Sequence, residues 1–326
     1  MYITVIGGGS WATALCRILT ENPENRIRWY MRNHSQIETF NKTGRNTEYL
    51  TDIQLDTNRV LAVNTLDSTG TDALLYCIPA AHSRDIIRTI KRPANQPFIS
   101  AAKGLIPDLG ISVTEFVTEI YNTKPDDLYM IAGPCHSEEV AQRKQSYLTL
   151  CGSDTAFRQQ MCAALTSPYT ACRGLDDLKG AEMASVLKNI YAMTCGIALG
   201  LGFGDNFLSV LVSNALREME IILSRVNKYP SRNVLHSAFA GDLLVTCYSA
   251  HSRNRRFGEY IGSGLDVKSA KLEMKMVAEG YTAVGEVVRR WSQETWDLEL
   301  IRTAYRIVRE GGDAREEFEW VRQNLM

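Results

Sequence analysis

The segment TVIGGGSWATAL, residues 4–15, sets a β-branched apolar run against three glycines and then a helical pattern. Trp11, Ala14, Leu15, Ile18 and Leu19 recur at helical spacing, with Ser10 placed as a cap. Between strand and helix, Gly7, Gly9 and Ala12 match the G-x-G-x-x-G/A pattern. The first glycine permits a tight turn, and the second lets a pyrophosphate approach the backbone. The third small residue packs helix on strand while the helix N-terminus faces the anion. A glycine turn ahead of an ordinary core helix has the same appearance, so the rest of the chain decides.

The first half alternates strand and helix signals. Further strands read at RIRWYM (26–31), RVLAV (59–63), ALLYCI (73–78), PFISAA (97–102) and LYMIAG (128–133), with short helical stretches between most of them. SYLTLCG (146–152) and YTACR (169–173) read as two more strands extending the sheet. Such alternation predicts a mostly parallel, doubly wound sheet. From about Leu178 the pattern changes to long amphipathic helices with no clear strand: 178–200, 207–225, 277–291 and 314–325. The expected architecture is an α/β Rossmann-type doubly wound sheet followed by an all-α C-terminal domain. The dinucleotide-binding domain is expected over 1–177 and a helical substrate or catalytic domain over 178–326, with a cleft between them.

Composition narrows the function classes. The 326 residues carry a net charge of -1, so there is no global pull toward nucleic acid or an anionic membrane. Eight cysteines form no CxxC pair and five histidines show no HExxH spacing, which argues against a metal site and a disulfide framework. The start MYITVIGGG enters a strand without a basic leader or cleavage site, and no apolar run spans a bilayer comfortably. These features predict a reduced, cytoplasmic protein with no membrane insertion.

Several polar residues stand out against this background. MASVLKNIYAMTCGIALGLG (183–202) is an apolar helical run with Lys188 and Asn189 in its middle. One turn either side of Lys188 lie Ala184, Ser185, Tyr191 and Ala192, so no local ion pair is available. Either the lysine snorkels to water or something distant in sequence pairs with it. In SAAKGL (100–105), Lys103 and Gly104 follow a strand at the end where ligands gather. AGPCHSEEVA (132–141) has the same placement. At the end of the second strand Arg32 stands where an NAD enzyme usually has an acid, so NADPH is expected to bind at least as well as NADH. In FAGDLLVTCYSAHSRNRRFG (239–258), Asp242 and Thr246 share one helical face, and Arg253, Asn254, Arg255 and Arg256 form a local positive patch. With no interleaved aromatic platform, that patch suits a phosphate monoester better than a nucleic acid.

Taken together, these motifs make the chain resemble the bacterial NAD(P)-dependent glycerol-3-phosphate dehydrogenases along nearly its whole length. The resemblance rests on GGGSWATAL, AAKGL, AGPCHSEEVA, LKNIYAMTCGIALGLGFGDN, AGDLLVTCYSAHSRNRRFG and VAEGYTA, in that order. It implies interconversion of dihydroxyacetone phosphate and sn-glycerol 3-phosphate, with a homodimer left open. By resemblance Lys188 is the proton donor and acceptor and Lys103 a substrate lysine close to the cofactor. Gly133, Cys135, Asp242, Ser252, Arg253 and Asn254 fall on substrate positions. Ser10, Trp11, Arg32, Ser137, Arg253, Val277 and Glu279 fall on cofactor positions beside Gly7 and Gly9. Asp242, with Thr246, would hold the Lys188 ammonium. The family usually has glycine where Ala12 stands, and commonly a small hydroxyl residue, an aromatic and alanine where this chain has Cys135, His136 and Ser137. Two competing readings, a hydroxy-acid or sugar dehydrogenase on a related scaffold and a silent dinucleotide sensor, account less well for the clustered arginines and the paired lysines.

Overall fold

The computed structural model describes residues 1–274, 278–291 and 298–325. They form two compact units, one of Met1–Ala102 with Ile111–Leu178, the other of Lys103–Gly110 with Lys179–Met326.

The first unit is built on one eight-stranded sheet. Its strands are β1 (Tyr2–Ile6), β2 (Arg26–Tyr30), β3 (Val60–Val63), β4 (Ala73–Tyr76), β5 (Phe98–Ser100), β6 (Leu128–Ala132), β7 (Ser146–Cys151) and β8 (Thr170–Leu175). They lie in the order β3-β2-β1-β4-β5-β6-β7-β8, with every neighbouring pair parallel except β6–β7. The expected strands and the mostly parallel pairing are therefore present, with one antiparallel step that strand patterning alone does not reveal. The connecting helices are α1 (Ser10–Glu21), α2 (His34–Thr43), α3 (Ser83–Thr89), α4 (Val113–Tyr121), α5 (Ser137–Ala141) and α6 (Thr155–Leu165). The core beneath α1 joins Leu15, Ile18 and Leu19 to Ile3, Val5, Trp29 and Leu75, all fully buried. Each such side chain contributes about 1.5–3 kcal/mol relative to exposure. Successive strands are added outward from β1 first to β2 and β3, then on its other side from β4, so the switch point where open parallel sheets take ligands lies between β1 and β4.

The second unit contains α7 (Leu178–Gly200), α8 (Asp205–Val226), α9 (Asp242–Tyr248), α10 (Arg253–Gly262), α11 (Val267–Met274), α12 (Glu279–Arg290), α13 (Glu299–Tyr305) and α14 (Ala314–Asn324). α7 is buried on every face from Gly180 to Ala198, as the apolar run over 183–202 indicates and the amphipathic reading of 178–200 does not. The reason is its neighbours: α9, α10 and α12 all pack on it. Glycines let α10 come unusually close. A Cβ at Gly258 would sit 2.0 Å from the Met193 carbonyl oxygen, and one at Gly196 would sit 1.9 Å from that of Arg255. No side chain fits in this seam, so the two backbones lock in register. No helix among the described residues is long and apolar enough to cross a membrane.

Candidate active site

In the first unit, the glycine loop leaves β1 at its C-terminal end. Gly7 takes φ +125°, a conformation that disfavours any side chain, and its N–H donates to Tyr30 O at 3.1 Å. The loop carbonyls are pinned from behind. Trp29 Nε1 donates to Gly7 O at 2.6 Å, and Asn46 Nδ2 donates to Gly8 O at 3.0 Å. Gln36 Nε2 in turn fixes Asn46 Oδ1 at 2.6 Å. Gly9 O accepts from Thr13 N and from Thr13 Oγ1, both at 3.0 Å.

With the carbonyls engaged, the front of the loop is open. Gly9 is the N-cap of α1, no side chain caps that helix, and its first turn carries no acid. A Cβ at Gly9 would meet no atom within 4 Å. The first-turn N–H groups are thus left without a side-chain cap, the condition under which a helix N-terminus binds an anion. Trp11 Nε1 is buried without a hydrogen-bond partner, a donor left for something the protein does not supply. These features fit a dinucleotide pyrophosphate. Arg32 is exposed two residues past Tyr30, which pairs in register with Ile6, so it stands at the same sheet edge. Ser137 opens α5, which packs on α1, and its hydroxyl donates to Glu138 Oε2 at 2.9 Å. Gly133 takes φ +109°, and a Cβ there would lie 2.7 Å from Tyr147 O. Cys135 is 8% exposed and lies in the core of this unit.

The second unit gathers the charged candidates. Lys188 is 3% exposed, and its Nζ forms an ion pair and hydrogen bond with Asp242 Oδ1. Snorkelling is thereby excluded. A five-residue π turn, Ser237–Gly241, runs directly into α9 and sets Asp242 at its first position. His236 Nδ1 caps that turn by accepting from Ala238 N at 3.1 Å. Burial pulls the Lys188 ammonium down to about 7, Asp242 opposes the shift, and the Lys103 charge adds to it. Asp242 Oδ2 has no hydrogen-bond partner. Lys103 follows β5 by three residues, ahead of Gly104 at φ +103°.

Thr246 is arranged differently from the expectation that it would help hold the Lys188 ammonium. Its hydroxyl donates to the Asp242 carbonyl one turn back, at 2.5 Å. A helical threonine readily makes that bond, and doing so steadies the first turn of α9 rather than reaching Lys188. The positive patch is also smaller than the sequence indicates. Arg255 is paired with Glu259 at 2.9 Å and bonded to Tyr248 O, while Arg253 and Arg256 are exposed. Ser252 caps α10 by accepting from Arg255 N at 3.3 Å.

One residue belongs in this cluster that the sequence reading left off its site. Asn254 Nδ2 donates to Asn189 Oδ1 at 2.8 Å, and Asn189 Nδ2 donates to Glu279 Oε2 at 3.2 Å. Asn254 Oδ1 accepts from Gly280 N at 2.9 Å. A Cβ at Gly280 would sit 2.4 Å from Asn189 O, so glycine brings the start of α12 onto α7. Asn189 was visible as the second polar residue in the apolar run beside Lys188; its role needed the distant Asn254 and Glu279. Burial raises the Glu279 carboxyl, while Arg253, Lys103 and Lys188 oppose that shift. Three cations thus act on Glu279, with Asp242 as the other acid beside Lys188. This concentration of cations suits an anionic ligand. Val277 lies outside the described residues.

Chemically, the cluster supplies a buried ammonium able to gain and lose a proton near neutrality, a second lysine acting on it, and an amide network. Comparisons with known proteins give the family. The model of the NAD-dependent glycerol-3-phosphate dehydrogenase N-terminus matches residues 2–158, and that of the C-terminus matches residues 177–319. The chain is 30% identical over 324 residues to the glycerol-3-phosphate dehydrogenase (NAD(P)+) of Macrococcus caseolyticus, covering 97% of this chain and 96% of that one. It is 31% identical over 314 residues to the enzyme of the same name from Phytoplasma australiense, covering 95% and 94%. A crystal structure of glycerol-3-phosphate dehydrogenase from Coxiella burnetii superposes with a TM-score of 0.88 at 25% identity, over 98% of both chains. With both halves matched in order and relatives aligned almost end to end, this chain belongs to the NAD-dependent glycerol-3-phosphate dehydrogenase family.

Proposed function

We propose that the chain interconverts dihydroxyacetone phosphate and sn-glycerol 3-phosphate with NADPH or NADH, supplying the backbone of glycerophospholipids. The observation that carries this reading is the buried Lys188–Asp242 pair with Lys103 acting on it. By resemblance, the residues that would hold the dinucleotide are Gly7, Gly9, Ser10, Trp11, Arg32, Ser137, Lys103, Arg253 and Glu279. When bound, the reduced nicotinamide supplies the hydride that adds to the carbonyl carbon. Lys188 donates a proton from Nζ to the carbonyl oxygen and is left as a neutral amine. Asp242 keeps the ammonium form populated against the cost of burial, and Lys103 polarises the same oxygen. In the reverse direction the neutral amine takes the proton from the alcohol.

Arg253, Asn254 and the α10 N-terminus would hold the phosphate, with Gly133 and Ser252 completing the substrate set by resemblance. Binding energy from that remote group positions the reacting carbon. The assay follows NADPH oxidation with dihydroxyacetone phosphate, with unphosphorylated dihydroxyacetone and with a 2-keto acid. Losing two hydrogen bonds to a charged phosphate removes about 3 kcal/mol, so dihydroxyacetone should be poorer by about 10²-fold or more in kcat/KM. Comparable turnover of either alternative substrate overturns the proposal. A cytoplasmic location and a homodimer belong to the same reading, checked by fractionation and by sedimentation.

A further inference from the structure

We propose that Cys162 and Cys172 are a peroxide-oxidisable thiol pair that closes to a disulfide between α6 and β8. Their sulfurs lie 3.5 Å apart, with the Cys172 thiol donating to Cys162 Sγ. Cys162 is partly exposed on α6, and Cys172 is buried behind it in β8. Access and a resolving partner are therefore combined at one place.

Charge favours Cys162 as the attacking sulfur. The Cys172 hydrogen bond, with Arg158 one turn back and Arg173 beside Cys172, pulls its thiol below the ordinary range against the effect of burial. Cys172 is held well above its ordinary value by its bond to Cys162 and by burial. The other cysteines lack this combination. Cys16, Cys135, Cys151, Cys195 and Cys247 are buried. Cys77 is partly exposed, but burial pushes its thiol up.

The chemistry balances with hydrogen peroxide as oxidant. The Cys162 thiolate attacks one peroxide oxygen and the O–O bond breaks. The departing hydroxide takes a proton to become water, leaving Cys162 as a sulfenic acid. Cys172 then attacks that sulfur; an S–S bond forms and the S–OH bond breaks. The released hydroxide takes the Cys172 proton. Two thiols lose two electrons in total and one peroxide becomes two waters.

Arg158 and Arg173 bracket both cysteines, so trypsin releases them in one peptide, residues 159–173. The full chain is treated with hydrogen peroxide, quenched with a maleimide and digested. The expected product is this peptide two hydrogens lighter and unlabelled, restored to two labels by dithiothreitol. In Cys172→Ser, the same dose should carry Cys162 on to the sulfinic acid. In Cys162→Ser, the peptide should keep its remaining label. Both variants should retain NADPH-dependent turnover, because neither sulfur belongs to the Lys188 cluster. Sulfinic acid at Cys162 in the parent protein without the lighter peptide overturns the proposal, as does faster oxidation of Cys77 or a Cys151–Cys172 link.

Discussion

Replacing Asp242 with asparagine keeps the volume and an acceptor oxygen but removes the negative charge paired with Lys188. In the parent protein the ammonium sits at about 7, the result of burial offset by Asp242. A close opposite charge is worth about 1–3 pKa units, so the variant's ammonium should titrate about 1–3 units lower. At pH 7 the protonated fraction then falls from about one half to between about 9% and 0.1%, a loss of about 5- to 500-fold in the reduction rate. Reduction needs the protonated amine, so activity of both proteins declines as pH rises through the lysine's pKa, and the variant's decline begins at lower pH. Measuring kcat for dihydroxyacetone phosphate reduction from pH 5 to 9 on both proteins cancels the substrate's own ionisation. A falling limb that stays in place, or moves to higher pH, refutes the assignment of Asp242 as countercharge to the catalytic proton.

Gly9→Ala separates ligand binding from folding. The site has extended backbone (φ -83°, ψ -179°), and the new methyl meets nothing within 4 Å, so the melting temperature should hardly move. NADPH affinity should fall by about tenfold or more, equivalent to about 1.4 kcal/mol, read by fluorescence titration; unchanged affinity would remove the loop from the cofactor site. Glu218→Gln tests a buried acid on α8. Its Oε1 accepts from Leu300 N at 2.7 Å, its Oε2 has no partner, and burial pushes the carboxyl up to about 7. Because the folded value lies above the unfolded one, the parent protein loses stability as pH rises from about 4.3 to about 7. The amide keeps the bond to Leu300 without ionising, so urea denaturation at pH 8 should show a gain of about 2–4 kcal/mol that vanishes near pH 4. Equal pH slopes for the two proteins would contradict this.

The legible and illegible parts of the chain differ in how far apart the interacting residues lie. The glycine loop could be read because strand, turn and helix signals fall within 12 residues of TVIGGGSWATAL. Its supports, Trp29, Gln36 and Asn46, could not, since their contacts depend on how β2 and α2 return to β1. Lys188 announced itself as a cation in an apolar run, and Asp242, 54 residues on, was named as its partner by resemblance; the π turn that delivers Asp242 is marked by no hydrophobic period. Separations of 65 and 90 residues hid the Asn189–Asn254–Glu279 chain, although Asn189 stands next to Lys188. The burial of α7 was legible in its apolar run, but the helices that cover it pack on glycine, which carries no periodic signal. Thr246 has the spacing to face Lys188 yet bonds its own backbone, an outcome that residue type alone does not distinguish.

The most direct test is Lys188→Ala, assayed for both dihydroxyacetone phosphate reduction and NADPH binding. General acid catalysis contributes about 10²- to 10⁴-fold, so kcat should fall by that factor while the NADPH Kd stays within about twofold. Turnover within a few-fold of the parent enzyme, with NADPH still bound, would contradict Lys188 as the proton donor.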